Sequence, residues 1–190
     1  LKAERALFDA GRRAEAAGAL TPERIRALPK RSRGDAHALL AHSLEAGGRT
    51  DDALAAYQLA EGLYPKNLEV LTGLAWLLHR QGLDDRARPL FERAVKIHPN
   101  NASANLGLAE IQRSQGDLAS AQSGYERALE EEGWAKNPAV QRDYAELLSA
   151  RQRPQEASAA SARALAIDPS AATLLSAARI ERRRGGAAAA

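Results

Sequence analysis

The chain has 190 residues, of which 45% are hydrophobic and only 4% aromatic, so alanine and leucine supply most of its apolar surface. It contains no cysteine, which excludes disulfides, thiolate metal sites and cysteine nucleophiles, and no apolar run approaches the roughly 20 residues that span a bilayer. The formal net charge is +3. This composition predicts a folded, helix-rich protein that does not insert into a membrane.

The charge is unevenly distributed. Residues 1–33 hold nine lysines and arginines against four acidic residues, residues 34–169 hold 14 against 19, and residues 170–190 hold four against one. Both ends are therefore basic and the middle is acidic. The N-terminal arginines lack interleaved aromatic residues that would stack on bases, so we predict a solvated charged edge and no nucleic-acid partner.

The N-terminal region, residues 1–33, has the pattern of a degenerate helical hairpin. We predict a first helix that contains Leu7, a turn at Gly18 and a brief second helix that contains Ile25. Because the sequence begins at Leu1 without a methionine, we expect it to be part of a longer chain. We assign it to the cytoplasm by default, or to the periplasm if a signal has been removed.

A period of 34 residues dominates the rest of the chain, and such self-similarity indicates a repeat architecture. An alanine, an aromatic residue four later and an alanine three after that recur three times at this spacing. The recurring sets are Ala53, Ala87 and Ala121; Tyr57, Phe91 and Tyr125; and Ala60, Ala94 and Ala128. A fourth copy, with Ala157, Ser161, Ala164 and Pro169, follows two residues late because of an insertion within 130–137.

This pattern, completed by Pro65 and Pro99 five residues after the second alanine, resembles the tetratricopeptide repeat. The resemblance implies an all-α fold, a solenoid of helical hairpins wound into a right-handed superhelix. Before and after the repeats we predict a degenerate hairpin at 1–33, a capping helix or truncated fifth repeat at 172–185 and a tail at 186–190. The predicted full repeats are 34–67, 68–101, 102–135 and 138–171.

Local signals mark the helix ends. Side chains that accept hydrogen bonds from a helix N-terminus are predicted as N-caps at Thr21, Asn67, Asn101 and Asn137. Glycine tolerates the positive φ of a helix C-terminus, which predicts turns at Gly48, Gly82 and Gly116. Gln152 stands at this place in the fourth copy and departs from the pattern.

The last predicted helix, over residues 171–184, should cap the fourth repeat. We expect Leu174, Leu175, Ala178 and Ile180 to pack backward while the arginines face water. The residues after Gly185 are expected to fray.

The resemblance implies that the first helix of each hairpin lines a concave groove, where an extended segment or a helix of a partner protein binds. The groove residues that it implies are His42, Glu45, Glu69, Thr72, Trp76, His79, Arg80, Leu106, Glu110, Arg113, Arg142 and Glu146. Trp76 is the large aromatic among them. It either anchors a partner side chain or packs against the neighbouring hairpin. The clamp by which some family members hold chaperone C-termini is absent, because Ala38, His42 and Trp76 occupy the corresponding places.

We find no motif for catalysis or for a cofactor, and we predict a binding protein rather than an enzyme. His42 and His79, with Glu45 or Glu110, could offer a weak metal site, but ordinary surface histidines are favoured and no metal is predicted. The predicted function is a protein-interaction scaffold within a larger bacterial protein or assembly. Two alternatives remain open: the recruiting array of an enzyme such as a glycosyltransferase, and a periplasmic array of an envelope secretion system. Self-association through the array ends is also left open.

Overall fold

The computed structural model describes residues 1–188, which form thirteen α-helices and no strand, so the all-α prediction is confirmed. The chain divides into two compact units, residues 1–99 (unit 1) and 100–190 (unit 2). Unit 1 contains α1 (Lys2–Asp9), α2 (Arg13–Ala19), α3 (Pro22–Ala27), α4 (Lys30–Ala46), α5 (Thr50–Leu63), α6 (Leu68–Arg80) and α7 (Asp84–Ile97). Unit 2 contains α8 (Ala102–Ser114), α9 (Leu118–Leu129), α10 (Glu132–Ala135), α11 (Pro138–Ala150), α12 (Pro154–Ile167) and α13 (Ala171–Ala188).

The helices pair as antiparallel hairpins, α4 with α5 and α6 with α7 in unit 1, and α8 with α9 and α11 with α12 in unit 2. The first three hairpins are held by the small–large–small stripe of their second helices, and in the fourth hairpin Ser161 takes the place of the aromatic ring. In α7, for example, Ala87, Phe91 and Ala94 are all fully buried. Small residues let the paired helices approach closely, and the aromatic ring fills the remaining volume.

The predicted caps are confirmed. The side-chain oxygens of Asn67 and Asn101 accept hydrogen bonds from the backbone N–H of Val70 and Ala104, at 2.9 and 2.8 Å. Thr21 and Asn137 cap α3 and α11 in the same way. These bonds satisfy N–H groups that have no partner within their own helix.

The predicted turns are also confirmed. Gly48, Gly82 and Gly116 have φ angles of 77°, 73° and 83°, and Gln152 takes the same left-handed conformation with φ of 58°. The chain then closes the helix end with a backbone hydrogen bond, such as that from Arg153 N–H to the Leu148 carbonyl at 3.0 Å.

The N-terminal hairpin differs from its prediction. Gly18 lies inside α2, and the turn is made by Gly11, whose φ is 78°. The N–H of Arg12 donates to the Leu7 carbonyl at 2.9 Å, which is the bond found at the other hairpin turns. The prediction of a turn at Gly18 was therefore wrong. Alanines, which favour a helix, flank that glycine, and α2 runs through it.

Part of the N-terminal basic stretch is used inside unit 1. Arg24 Nε donates at 2.6 Å to Glu4, a carboxylate that is only 1% exposed. Arg33 donates to the backbone carbonyls of Leu28 and Arg26, at 2.9 and 2.6 Å. These two arginines connect helices of unit 1 through charge-assisted hydrogen bonds.

The last helix also differs from its prediction. It packs against α11 and α12 through Thr173, Ser176 and Ile180, which are 2 to 3% exposed. Leu174 and Leu175 are 53% and 60% exposed, so the prediction that they pack backward was wrong, as it was for Ala178, which is also exposed. At 100° per residue these three lie on the side of α13 opposite to its buried residues.

The tail predicted at 186–190 is helical as far as Ala188, and residues 189 and 190 lie outside the described residues. None of the described helices is both long enough and apolar enough to cross a membrane.

Candidate partner-binding site

The first helices of unit 1 bring His42 into a ring cluster. The His42 ring lies 6.2 Å from that of Phe8 on α1 and 5.7 Å, edge to face, from that of Tyr57 on α5. Burial lowers the pKa of His42, while the carboxylates of Glu45 and Glu69 act in the opposite direction. His42 therefore presents a mainly neutral, half-buried ring at pH 7.

An ion pair joins the two first helices beside these rings. Arg80, at the end of α6, pairs with Glu45 on α4. The Arg80 side chain is 52% exposed and that of Glu45 is 18% exposed. The pair therefore connects α4 to α6 while leaving the guanidinium open to another acceptor.

Trp76 lies half-buried on α6. Its ring meets Phe91 at 5.3 Å and His79 at 5.7 Å, both edge to face. Phe91 is fully buried in the second helix of the same hairpin. The Trp76 ring thus covers its own hairpin's core on one edge and leaves part of its surface accessible.

His79 is oriented by Asp84, the first residue of α7, whose Oδ1 lies 2.6 Å from His79 Nδ1. The two side chains are 18% and 29% exposed. Among residues 1–188, no group of three or more His, Asp or Glu side chains is placed to hold a metal ion.

Two predicted site residues are buried. Thr72 is 9% exposed, and its hydroxyl donates to the Leu68 carbonyl at 2.8 Å. Leu106 on α8 is 1% exposed. Neither side chain offers surface to a partner, whereas Glu69 is exposed.

Unit 2 carries the other four predicted residues. Glu110 and Arg113 lie on α8, and Arg142 and Glu146 on α11, all partly exposed. Arg142 pairs with its neighbour Asp143 at 3.1 Å. Glu146 accepts a hydrogen bond from Ser176 of α13 at 2.7 Å, which ties this position to the last helix.

Sequence reasoning missed two contributors to the His42 environment. Phe8 comes from the degenerate N-terminal hairpin, and Arg5 on the same helix lies close enough to lower the pKa of His42. The available signal was that Phe8 is one of only two phenylalanines in the chain. The resulting surface combines apolar ring edges with charges of both signs, a combination suited to protein or peptide recognition.

Comparisons with known proteins agree with this architecture. A thermophilic tetratricopeptide repeat protein from Thermus thermophilus is 23% identical, with a TM-score of 0.68 and 96% of each chain covered. PilW, a widely conserved type IV pilus biogenesis factor, is 18% identical, with a TM-score of 0.78 over 99% of this chain and 86% of its own. YrrB, described as having an unusual peptide-binding site, is 15% identical, with a TM-score of 0.63 over 93% and 88%.

No curated protein matches the chain in sequence. Family models of the tetratricopeptide repeat match residues 2–67 and 39–102, and a related model with the same description matches residues 85–133. These matches cover more than half of the chain, and the solved structures above share its fold. The chain therefore belongs to the tetratricopeptide repeat family.

Proposed function

We propose that this protein is an interaction scaffold that binds an extended segment or a helix of a partner protein on the first helices of unit 1. The surface concerned consists of His42, Glu45, Trp76, His79 and Arg80, and we call it the unit 1 face. The observation that carries the proposal is the combination of half-buried rings with an ion pair across α4 and α6. Tetratricopeptide repeat proteins are generally interaction scaffolds rather than enzymes.

The rings and the charges have different roles in this proposal. A partner's apolar side chain packs against the accessible surface of Trp76, where desolvation supplies most of the affinity. The guanidinium of Arg80 and the exposed carboxylate of Glu69 select the partner's charges and its orientation. Trp76 is thus an anchor that also covers Phe91, so its removal should cost both affinity and some stability.

In unit 2, we propose that Glu110, Arg113, Arg142 and Glu146 provide polar contacts of the same kind. Leu106 is not included, because it is buried. The two alternatives, an enzyme's recruiting array and an envelope secretion array, stay predictions. At 18% identity, the similarity to a pilus biogenesis factor concerns the fold alone.

The test begins with peptides selected by display on the wild-type chain, measured by fluorescence anisotropy. Arg80→Glu reverses the accessible charge of the unit 1 face, and Trp76→Phe keeps a ring over Phe91 while reducing the anchor. We expect Arg80→Glu to weaken binding at least tenfold and Trp76→Phe to weaken it several-fold, with unchanged circular dichroism.

Arg127→Glu is the matched control, because Arg127 is an exposed arginine on α9 in unit 2. It makes the same charge change away from the unit 1 face and should leave binding within about twofold. If neither Arg80→Glu nor Trp76→Phe changes the affinity for the selected peptides, the binding site lies elsewhere on the chain.

A further inference from the structure

The outward side of α5 is apolar. Leu59 and Leu63, one helical turn apart, are 58% and 56% exposed, and Ala55, one turn before Leu59, is exposed as well. At 100° per residue, Ala55 and Leu63 lie within about 40° of Leu59. Tyr57, which is fully buried, lies on the opposite side of the helix. The three exposed residues therefore form a continuous apolar stripe.

The other second helices differ at the place of Leu59. By the repeat period, with two more residues in the fourth copy, this place is held by Arg93, Arg127 and Arg163. Arg93 of α7 donates to the Glu61 side chain and to the Pro65 carbonyl, at 2.5 and 2.7 Å. Leu59 presents apolar surface to water where its counterparts present a charge. Contiguous exposed apolar residues mark an interaction surface more often than single ones do.

The stripe is open because of a feature inside unit 1. The preceding second helix, α2, has seven residues, half as many as the 14 of α5. It ends at Ala19, and the chain then turns into α3. In the next hairpin, Arg93 reaches the preceding second helix at Glu61, but α2 ends too early to be such a neighbour for Leu59. Segments on both sides of the stripe belong to the described chain.

Opposite charges lie at the two ends of the stripe. Asp51 and Asp52, both exposed, are in the first turn of α5. Arg49 Nε donates to one oxygen of Asp52 at 2.7 Å, so the other oxygen can accept a further hydrogen bond. Lys66, also exposed, lies in the turn that follows α5. Asp52 precedes Leu59 by seven residues and Lys66 follows it by seven, so the two charges are equally spaced about Leu59.

We infer that the outward side of α5 pairs with the same side of a second copy of the chain, with the two helices antiparallel about a twofold axis at Leu59. The surface consists of Asp52, Ala55, Leu59, Leu63 and Lys66, and we call it the α5 face. Leu59 packs against the partner's Leu59, and Ala55 receives the partner's Leu63. Asp52 binds the partner's Lys66. The α5 face lies on a second helix and is separate from the unit 1 face, so the pairing does not depend on the proposed function.

Charge selects a second copy as the occupant. The occupant must place an apolar residue opposite Leu59, a basic group about 10 Å to one side and an acidic group about 10 Å to the other. The α5 face has this arrangement when it is turned end to end, as a twofold contact requires. A parallel pairing would instead place Asp52 beside Asp52 and Lys66 beside Lys66.

Sedimentation equilibrium of the full chain tests the dimer. A helix of 14 residues is about 21 Å long, so the contact is smaller than a standard interface and we expect a dissociation constant of about 100 µM. Leu59→Arg introduces the residue found at this place in the other three hairpins and should weaken the dimer by about tenfold or more. Because Leu59 is exposed, circular dichroism should not change.

Ile167→Arg is the matched control. It makes the same kind of change on α12, at a residue that is 41% exposed and lies outside the α5 face. We expect it to change the dissociation constant by less than about twofold.

A charge exchange tests the antiparallel register. Asp52→Lys and Lys66→Asp should each weaken self-association about fivefold, since each variant brings like charges together at both ends of the pairing. An equimolar mixture of the two variants should restore association, because in the mixed dimer both ends again join unlike charges. High salt should diminish this recovery.

The pairing is wrong if the mass stays that of a monomer up to about 500 µM, five times the expected dissociation constant. A dimer that persists unchanged in Leu59→Arg would place the contact elsewhere on the chain and overturn the role of the α5 face. A mixture that associates no better than its two components would overturn the antiparallel register.

Discussion

The two units use one hairpin design but differ in what fills their interiors. In unit 1, α6 buries eight of its 13 residues, and Tyr57 and Phe91 are fully buried. Its buried hydroxyls on Ser43 and Thr72 donate to carbonyls of their own helices, and that of Tyr57 has no hydrogen-bond partner among the described residues. Unit 1 is therefore held together mainly by close apolar packing.

Unit 2 buries the amide side chains of Asn105, Gln122 and Gln141. Gln141 Nε2 donates to the Ala135 carbonyl at 2.9 Å, and its Oε1 accepts from Arg163 Nε at 3.1 Å. These bonds join α11 to Arg163 of α12 and to Ala135, the last residue of α10. The comparison teaches that the repeat tolerates either apolar volume or a hydrogen-bonded amide at one position, provided that the amide has its partners.

Leu71 and Gln141 hold the same place in their first helices, since their N–H groups donate to the N-cap carbonyls of Asn67 and Asn137. The largest expected effect comes from exchanging the leucine and the amide at these two places. Leu71→Gln removes a fully buried leucine and buries an amide among apolar neighbours, so we expect a loss of about 3 kcal/mol in the free energy of unfolding. Gln141→Leu leaves the Ala135 carbonyl and Arg163 without that amide but adds apolar burial, so we expect a loss of about 1 kcal/mol. Urea unfolding monitored by circular dichroism measures both.

The comparison predicts a clear asymmetry between these two variants. Equal losses would show that packing and hydrogen bonding contribute alike in the two units. A larger loss from Gln141→Leu would reverse the conclusion and make the amide bonds the stronger support.

The next largest effect tests how tightly unit 1 is packed. A Cβ added to Gly73 of α6 would lie 2.6 Å from two ring carbons of Tyr57. Gly73→Ala should therefore cost about 2 kcal/mol through overpacking, although alanine favours a helix. Differential scanning calorimetry should show a lower melting temperature.

Gly62→Ala is the matched control, because Gly62 lies in α5 with nothing within 4 Å of an added Cβ. There, helix propensity alone acts, and we expect a gain of about 0.5 kcal/mol. If both alanine variants are stabilising, the contact between Gly73 and the Tyr57 ring is looser than described.

The features that the sequence predicted correctly depend on local residue types. Caps such as Asn67 and turns such as Gly82 need only a suitable side chain at the right place in the period. The packing face of α13 could not be found in this way. Leucine is more apolar than serine, but α11 offers Glu146 to the hydroxyl of Ser176, at 2.7 Å across 30 residues of sequence.

The same distinction applies to the candidate site, where the helix positions of the residues were predicted but their side-chain contacts were not. The period placed His42 and Trp76 on first helices, as the structure has them. It did not indicate that Trp76 would rest on Phe91 of its own hairpin, nor that Phe8 would reach His42, since both contacts depend on side-chain geometry. Leu106, which was also predicted in the groove, is buried. The position of a residue in the repeat therefore does not by itself predict whether its side chain is accessible.

A third prediction concerns the turns that the two units share. Gln152 adopts a φ of 58°, a conformation that costs a residue with a Cβ more than it costs glycine. Gln152→Gly should therefore stabilise unit 2 by about 0.5 to 1 kcal/mol, measured by urea unfolding. Gly82→Ala, the reverse change at the equivalent turn of unit 1, should destabilise by about 1 kcal/mol. A loss of stability in Gln152→Gly would mean that its side chain holds the turn.

The smallest expected effect separates the units by pH. All four histidines, His37, His42, His79 and His98, lie in unit 1, so unit 2 is an internal control.

Burial lowers the pKa of His42 below its ordinary value of 6.5, and the unfolded chain therefore binds this proton more readily than the folded one. The stability that the neutral ring contributes is complete above pH 6.5 and is lost as the pH falls below that value. Arg5 and Arg80 also disfavour the charged ring, whereas Glu45 and Glu69 favour it and keep the effect small.

Between pH 7.5 and 5.5, hydrogen exchange should accelerate more in α4 and α6 than in α8 and α11, after correction for intrinsic rates. His42→Gln should reduce the acid-induced fall in melting temperature by about 2 °C. Equal acceleration in both units, unchanged by His42→Gln, would show that His42 does not cause the pH dependence.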